Sequence, residues 1–202
     1  GELDSVNKQQ FWEVVDRCYL CDMCFMTKCP YVPPHEWNID FPHLMLRAKA
    51  VKYKKQGAGF RDKLLSSTDL MGKLATIPVV VQAVNAMNNT PAVRKIMDST
   101  LGIHADRKLP EYTTDKFLAN AKPNDTFPVK DGARTPGKVA IYATCYVNYN
   151  EPGIGHDLLK VLEHNDIPYE IVEKETCCGM PKLELGDLDA VAEHKSANIP
   201  VL

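Results

Sequence analysis

Apolar positions in the first hundred residues recur at helical spacing. Phe11, Val14, Val15 and Cys18 stand at i, i+3, i+4 and i+7, which predicts a helix over residues 5 to 18 with Cys18 turned inward. A second helix is expected over 41 to 55, with Leu44, Ala48 and Val51 on one side and Gly57-Ala58-Gly59 as its stop. Before it, Tyr31-Val32-Pro33-Pro34 must be extended or turned, since proline disfavours a helical residue ahead of it. Residues 60 to 88 read as one or two more helices, interrupted near Gly72 and Pro78. Thr90 is placed to cap a helix with Pro91 at its first position, Val93, Ile96, Met97 and Leu101 as its stripe and Gly102 as its end.

The periodicity stops over residues 119 to 137, which carry three prolines and two glycines and read as an interdomain linker. Beyond it the pattern alternates. Lys138 to Thr144 is a short β-rich run, and 154 to 165 is helical through Ile154, Leu158, Val161 and Leu162. Tyr169 to Lys174 is a second strand, and Asp187 caps a further helix. Strand, helix, strand implies a parallel pair with a right-handed crossover. The expected fold class is α+β: a helical domain over 1–118, a linker over 119–137, and part of an α/β (βαβ) domain over 138–202.

Composition narrows the function. Hydrophobic residues are 45% and charged residues 25%, as in a globular protein. A net charge of −2 is too low for a general nucleic-acid binder, so nucleic acid is not expected as a partner. No uninterrupted apolar run reaches the roughly 18 residues of a membrane span. No charged-then-apolar secretory leader is present, although Gly1 is not a natural start. Seven cysteines are an odd number, so they cannot all pair within the chain, and their spacing points to metal. Reduced thiols imply a reducing compartment, most simply the cytoplasm.

Four of the cysteines, Cys18, Cys21, Cys24 and Cys29, lie within 12 residues, and Pro30 follows the last. A cubane iron–sulfur cluster needs several thiolates converging on a compact, polarizable core, and a loop with thiols at three-residue steps can wrap it corner by corner. The bacterial ferredoxin run is C-x2-C-x2-C-x3-C-P. Here the last gap is four residues, Phe25-Met26-Thr27-Lys28. A four-cysteine zinc site is the alternative, but such sites use two separated C-x2-C knuckles. The expectation is a 4Fe-4S cluster.

The other three are Cys145, just after the first expected strand, and Cys177-Cys178-Gly179, just after the second. Parallel α/β sheets bind ligands beyond the carboxyl ends of their strands, so these thiols are expected to meet there. Adjacent cysteines rarely bond to each other, whereas two neighbouring thiolates can reach two metal atoms of one cluster. Gly179 allows close backbone approach, and the helix near Asp187 could offer its positive end. An inert buried cysteine pair is the alternative.

The spacing Cys145-x31-Cys177-Cys178-Gly179 resembles the first half of the CCG cysteine-rich domain. The segments CDMCFMTKCPYVPPHEWNIDFPHLMLRAKA and IYATCYVNYNEPGIGHDLLK resemble the heterodisulfide-reductase-related branch that includes proteins like the C subunit of anaerobic glycerol-3-phosphate dehydrogenase. The resemblance implies a ferredoxin-type helical domain followed by a CCG domain, with Cys18, Cys21, Cys24, Cys29, Cys145, Cys177 and Cys178 as cluster ligands. It implies electron relay between a flavin dehydrogenase partner and a membrane quinone or another acceptor, peripheral to the inner face of the cytoplasmic membrane. Heterodisulfide reductases of this family cleave a disulfide at a noncubane cluster, which makes disulfide reduction the alternative activity; a zinc-stabilised interaction module is the non-redox one. The family motif ends with a further C-x2-C, yet none of the 23 residues after Gly179 is cysteine. The chain is therefore expected to be an internal fragment, in which the second cluster does not assemble. In the two-cluster pattern Cys29 serves a neighbouring cluster and a distant cysteine completes the one held by Cys18, Cys21 and Cys24.

Three further features carry weaker expectations. Residues 41 to 65 hold seven Lys or Arg and one acid, read as a solvated face or as a contact for anionic lipid or an acidic partner. Leu70, Met71, Leu74, Ile77, Val80, Val81, Val84 and Met87 form an apolar stripe expected to pack in a core. Among the histidines, His156 is expected near the second site; Tyr142, Tyr146 and Tyr149 are expected to pack.

Overall fold

A computed structural model describes residues 2–129 and 137–202. Its helices, in chain order, are α1 Lys8–Arg17, α2 Phe41–Gln56, α3 Phe60–Leu65, α4 Thr68–Ala75, α5 Val80–Asn89, α6 Pro91–Leu101, α7 Phe117–Asn120, α8 Thr144–Tyr149, α9 Pro152–His164, α10 Met180–Leu185 and α11 Leu188–Asn198. A π turn spans Cys24–Lys28. The strands are β1 Val139–Ile141 and β2 Tyr169–Ile171, so the class is α+β with helix predominant. Contacts gather the chain into two compact units, Gly1–Ser66 with Gly179–Glu193, and Ser67–Cys178 with His194–Leu202. This partition differs from the compositional one at 119–137, and residues 130–136 of that segment lie outside the described residues.

In the first unit α1 opens with a capping box: Asn7 Oδ1 accepts the Gln10 N–H at 3.0 Å, and Gln10 Oε1 accepts the Asn7 N–H at 2.8 Å. Of the expected α1 stripe only Val15 is buried. Phe11 and Val14 are half exposed, because α1 is covered by α2 on one side only. Asp40 caps α2 by accepting the His43 N–H at 3.0 Å, and Gly57 ends it with φ 65°. α10 packs on α2 so closely that a Cβ on Gly186 would lie 2.5 Å from the Lys49 carbonyl carbon. With φ at +84° as well, this position admits glycine alone. Asp187 caps α11, its Oδ1 accepting the Ala190 N–H at 3.2 Å and its Oδ2 the Tyr53 hydroxyl at 2.7 Å.

The second unit is built on the parallel β1–β2 pair, with Val139 opposite Tyr169 and Ile141 opposite Ile171. Two helices, α8 and α9, join the strands where one was expected, because the chain turns at Thr144 (φ 65°) directly out of β1. The core is Phe117, Ile141, Ala143, Leu159, Leu162 and Tyr169. Ala121 packs against it, and Asn124 and Tyr169 exchange backbone hydrogen bonds at 3.0 and 3.3 Å, so residues just past α7 join this unit. Gly72 does not interrupt a helix; it lies inside α4 under the Tyr149 ring. The expected break near Pro78 occurs, next to Val79 at φ 75°, and the other falls at Ser66-Ser67. Thr90 precedes α6, but its hydroxyl donates back to the Ala86 carbonyl at 2.7 Å rather than capping. Gly102 ends α6 in the left-handed region as expected. The α4–α5 stripe is only partly core. Val81 is buried, while Leu70, Leu74, Ile77 and Met87 are about half exposed. Among the described residues no single helix is long and apolar enough to cross a membrane.

Candidate metal centre

The four N-terminal cysteines lie on one short arc in the first unit. Cys18 closes α1, its N–H donating to the Val15 carbonyl at 3.3 Å. The chain then passes through two left-handed residues, Leu20 (φ 52°) and Asp22 (φ 58°), on either side of Cys21. Neither is glycine, so each costs about 1–2 kcal/mol of backbone energy, and each bends the loop around the Cys21 position. Cys24 opens the π turn and Cys29 closes it, with the Cys29 N–H donating to the Cys24 carbonyl at 2.8 Å. The Met26 N–H donates to Asp22 O at 2.9 Å, and the Thr27 hydroxyl to Met23 O at 2.8 Å.

The π turn accounts for the four-residue gap. An α turn brings residues four apart onto one face, which is what C-x3-C achieves. A π turn takes one more residue per turn. C-x4-C in a π turn therefore aligns Cys29 with Cys24 much as C-x3-C does in an α turn.

The donor set fits an iron–sulfur cluster. All four donors are unbridged thiols, Cys21 exposed and the others half-buried. A tetrahedral zinc ion needs its donors about 2.0–2.3 Å from one point. Among the described residues no three His, Cys, Asp or Glu side chains gather tightly enough to hold a single metal ion.

In the second unit Cys145 stands in the first turn of α8, and Cys177 lies in the loop after β2, past a turn at 173–174. The Cys145 and Cys177 side chains lie within interaction range of one another. The Cys177 side chain, then burial, pushes the Cys145 thiol well above its ordinary range, with Thr68 opposing. The Thr68 Oγ1 lies 3.3 Å from the Cys177 Sγ. Cys177 is buried and Cys178 is exposed, so the adjacent pair divides between interior and surface.

The backbone around Cys177 is clamped. Its N–H donates to the Asp69 Oδ2 at 2.6 Å, and its carbonyl accepts the Asn198 amide at 3.1 Å. Asn198, itself buried, also accepts the Thr176 N–H at 2.8 Å and donates to the Tyr142 hydroxyl at 3.1 Å. The Tyr142 hydroxyl in turn donates to the Thr176 carbonyl. Burial, then the neighbouring Glu175, pushes the Tyr142 phenol well up. Glu175 accepts the Ala143 N–H at 2.7 Å, tying the segment after β1 to the loop that leads into the cysteines.

Tyr142 is therefore part of the site's hydrogen-bond network as well as packing. The His156 ring meets Phe117 edge-on at 5.2 Å. Asp187, capping α11, belongs to the other compact unit. The basic stretch is partly neutralised within the first unit, where Lys52 meets Asp16 at 2.6 Å and Arg61 meets Asp62 at 2.8 Å. Thr68, Asp69, Glu175 and Asn198 are site residues that the sequence did not disclose. Asp69 lies 108 positions from Cys177, with no local pattern linking them.

Cys145 follows the first strand of a parallel pair and Cys177-Cys178 the second, the order and spacing that resemble a cysteine-rich domain of the CCG type. Residues 139–199 belong to that family, whose description is cysteine-rich domain. The chain is homologous to the C subunit of the anaerobic glycerol-3-phosphate dehydrogenase of Escherichia coli K12, with 31% identity over 164 residues, 80% of this chain and 39% of that protein. The corresponding protein of the O157:H7 strain matches equally. The B subunit of the CoM/CoB fumarate reductase of Methanothermobacter marburgensis is 29% identical over 71 residues, 35% of this chain and 14% of that protein. The chain thus spans 39% of the length of the first two relatives. No solved structure matches it significantly.

Proposed function

We propose that this chain is part of an iron–sulfur electron-transfer subunit of a multi-subunit oxidoreductase. The carrying observation is the arrangement of seven free thiols as four and three, each set held within one compact unit. Homology to two oxidoreductase subunits supports the same role. Cys18, Cys21, Cys24 and Cys29, in a ferredoxin-type helical region, are the residues that would hold a 4Fe-4S cluster. Cys145, Cys177 and Cys178 are three of the ligands of a second, noncubane cluster in a longer protein. Such clusters, when bound, supply one-electron redox steps. The chain's own part is to fix the thiolates and to exclude water on the buried side of Cys177.

The partner in this reading is a flavin dehydrogenase, and the acceptor a quinone or another carrier, in the cytoplasm or at the inner face of its membrane. The outward apolar row on α4 and α5 supports contact with such a partner or surface. The test is anaerobic reconstitution with iron and sulfide. Expected are a broad absorbance near about 400 nm and loss of bound iron in Cys21→Ala. A colourless protein holding one zinc, with iron content indifferent to Cys21→Ala, overturns the reading. In the longer protein, a cluster signal that ignores added thiol under oxidation assigns relay rather than disulfide chemistry.

A further inference from the structure

The first turn of α4 lies outside the cysteine-rich domain family's residues 139–199, yet two of its side chains reach the site. Asp69 accepts the Cys177 N–H at 2.6 Å, and the Thr68 Oγ1 lies 3.3 Å from the Cys177 Sγ. Asn198 holds the Cys177 carbonyl from the other side at 3.1 Å. An acidic side chain in a helix's first turn ordinarily serves its own helix. Asp69 instead turns away to a backbone N–H in a distant segment. That bond to a carboxylate is charge-assisted, a class shorter and stronger than neutral pairs.

We propose that Thr68 and Asp69 are positioning residues of the Cys145–Cys177 site. Asp69 and Asn198 grip the two ends of the Cys177 residue and so fix the direction of its Cα–Cβ bond. Thr68, one residue before Asp69, places a hydroxyl 3.3 Å from the Cys177 sulfur, to which it donates a hydrogen bond when that sulfur carries negative charge. Hydrogen bonds to cluster sulfurs are among the levers that set an iron–sulfur potential, and second-shell partners orient the ligands themselves. The site is therefore assembled from two parts of the sequence. The family motif supplies the thiols, and α4 supplies their orientation and one electrostatic contact. The effect of Thr68 on a potential depends on the iron–sulfur reading; the Asp69 clamp does not.

The experiment has two arms on the full chain. In the first, metal-free protein is followed by residue-resolved amide hydrogen exchange. Asp69→Ala removes the acceptor and is expected to speed exchange at the Cys177 amide about tenfold or more. Asp69→Asn keeps an acceptor oxygen and is expected to hold exchange within about threefold. Exchange at Cys177 that is unchanged in Asp69→Ala overturns the assignment. So does acceleration that is equal across the whole unit, or equal in Asp69→Asn. In the second arm the iron-loaded, longest available form of the protein is titrated for its reduction potential. Thr68→Val, which keeps the shape, is expected to move the potential of the cysteine-rich site negative, and Thr68→Ser to restore it. Identical potentials in all three overturn the role of Thr68. Protein that loads no iron at this site refutes the iron–sulfur reading and leaves the exchange arm to decide the role of Asp69.

Discussion

Replacing Gly72 by alanine tests whether α4 is locked against α8. Gly72 sits in the middle of α4, beneath the Tyr149 ring. A Cβ added there falls 2.3 Å from the Tyr149 Cδ2 and 2.7 Å from its Cγ and Cε2, where nonbonded carbons prefer about 3.5–4.0 Å. On an exposed helix, glycine to alanine stabilises by roughly 1 kcal/mol. Here overpacking of about 1–3 kcal/mol opposes that gain. Tyr149 is only 8% exposed, so its ring has little room to swing aside and the upper end of the range applies. The net expectation is a loss of about 1–2 kcal/mol. With an m-value of about 2 kcal/mol/M, the urea midpoint falls by roughly 0.5–1 M at unchanged slope. A companion Tyr149→Ala makes room, so the double variant is expected to cost less than the sum of the singles by about 1 kcal/mol or more. A Gly72→Ala midpoint at or above that of the parent refutes the close packing. Additive singles refute Tyr149 as its cause.

Two further outcomes are expected. Phe117 is fully buried among the strands and α9, and Phe117→Ala is expected to cost about 3–5 kcal/mol by thermal or urea unfolding; a cost below about 1 kcal/mol removes it from the core. Burial, then a 2.8 Å bond to Glu163, pushes the Tyr169 phenol up to about 12. The unfolded chain ionises this phenol near pH 10, so between about pH 10 and 12 the unfolded state sheds a proton that the folded state keeps, and stability falls as pH rises. Below about pH 10 the phenol is neutral in both states and contributes no slope. Tyr169→Phe is therefore expected to lose less stability than the parent across that window, by about 1–3 kcal/mol, and equal alkaline slopes for the two refute the shift.

How much the sequence disclosed depends on how local each cause is. Helix periodicity located α2, α6 and α9 within a few residues because caps and stops such as Gly57 and Gly102 act locally. The parallel strand pair was legible from two short β-rich runs. The strands came out at three residues each because Thr144 turns the chain early, and no residue type announces a left-handed threonine. The short α8 and α10 escaped notice for want of an apolar repeat. Partner-dependent features were beyond reach. The row Leu70, Leu74 and Ile77 has the period of a core helix yet faces outward, since period shows that a face exists and not what covers it. Arg94, buried and donating to the carbonyls of Ala105, His104 and Arg107, had no signature either. At the second site the thiols were legible as types in a spacing, while Asp69 and Asn198, which hold Cys177, belong to segments 108 and 21 positions away.

The extra residue between Cys24 and Cys29 bears most directly on the first site, because it can be removed. If the π turn absorbs it, deleting one exposed residue converts C-x4-C to C-x3-C and the turn to an ordinary α turn, with the two thiols still on one face. Met26 is the residue to delete. It is 74% exposed, so little packing goes with it. Thr27 and its hydroxyl bond to the Met23 carbonyl then shift by one place, a loss of about 1 kcal/mol at an exposed site. The deletion is expected to bind as much iron per chain on anaerobic reconstitution as the parent. Inserting an alanine after Met26 lengthens the gap to five residues, which neither an α nor a single π turn can align, and iron binding is expected to fall. Iron content separates the possibilities. Loss on deletion but not on insertion means that Cys29 is placed by the loop after it and not by the turn. Equal retention in both means that Cys29 is not a ligand of the cluster held by Cys18, Cys21 and Cys24, leaving its thiol for a neighbouring cluster.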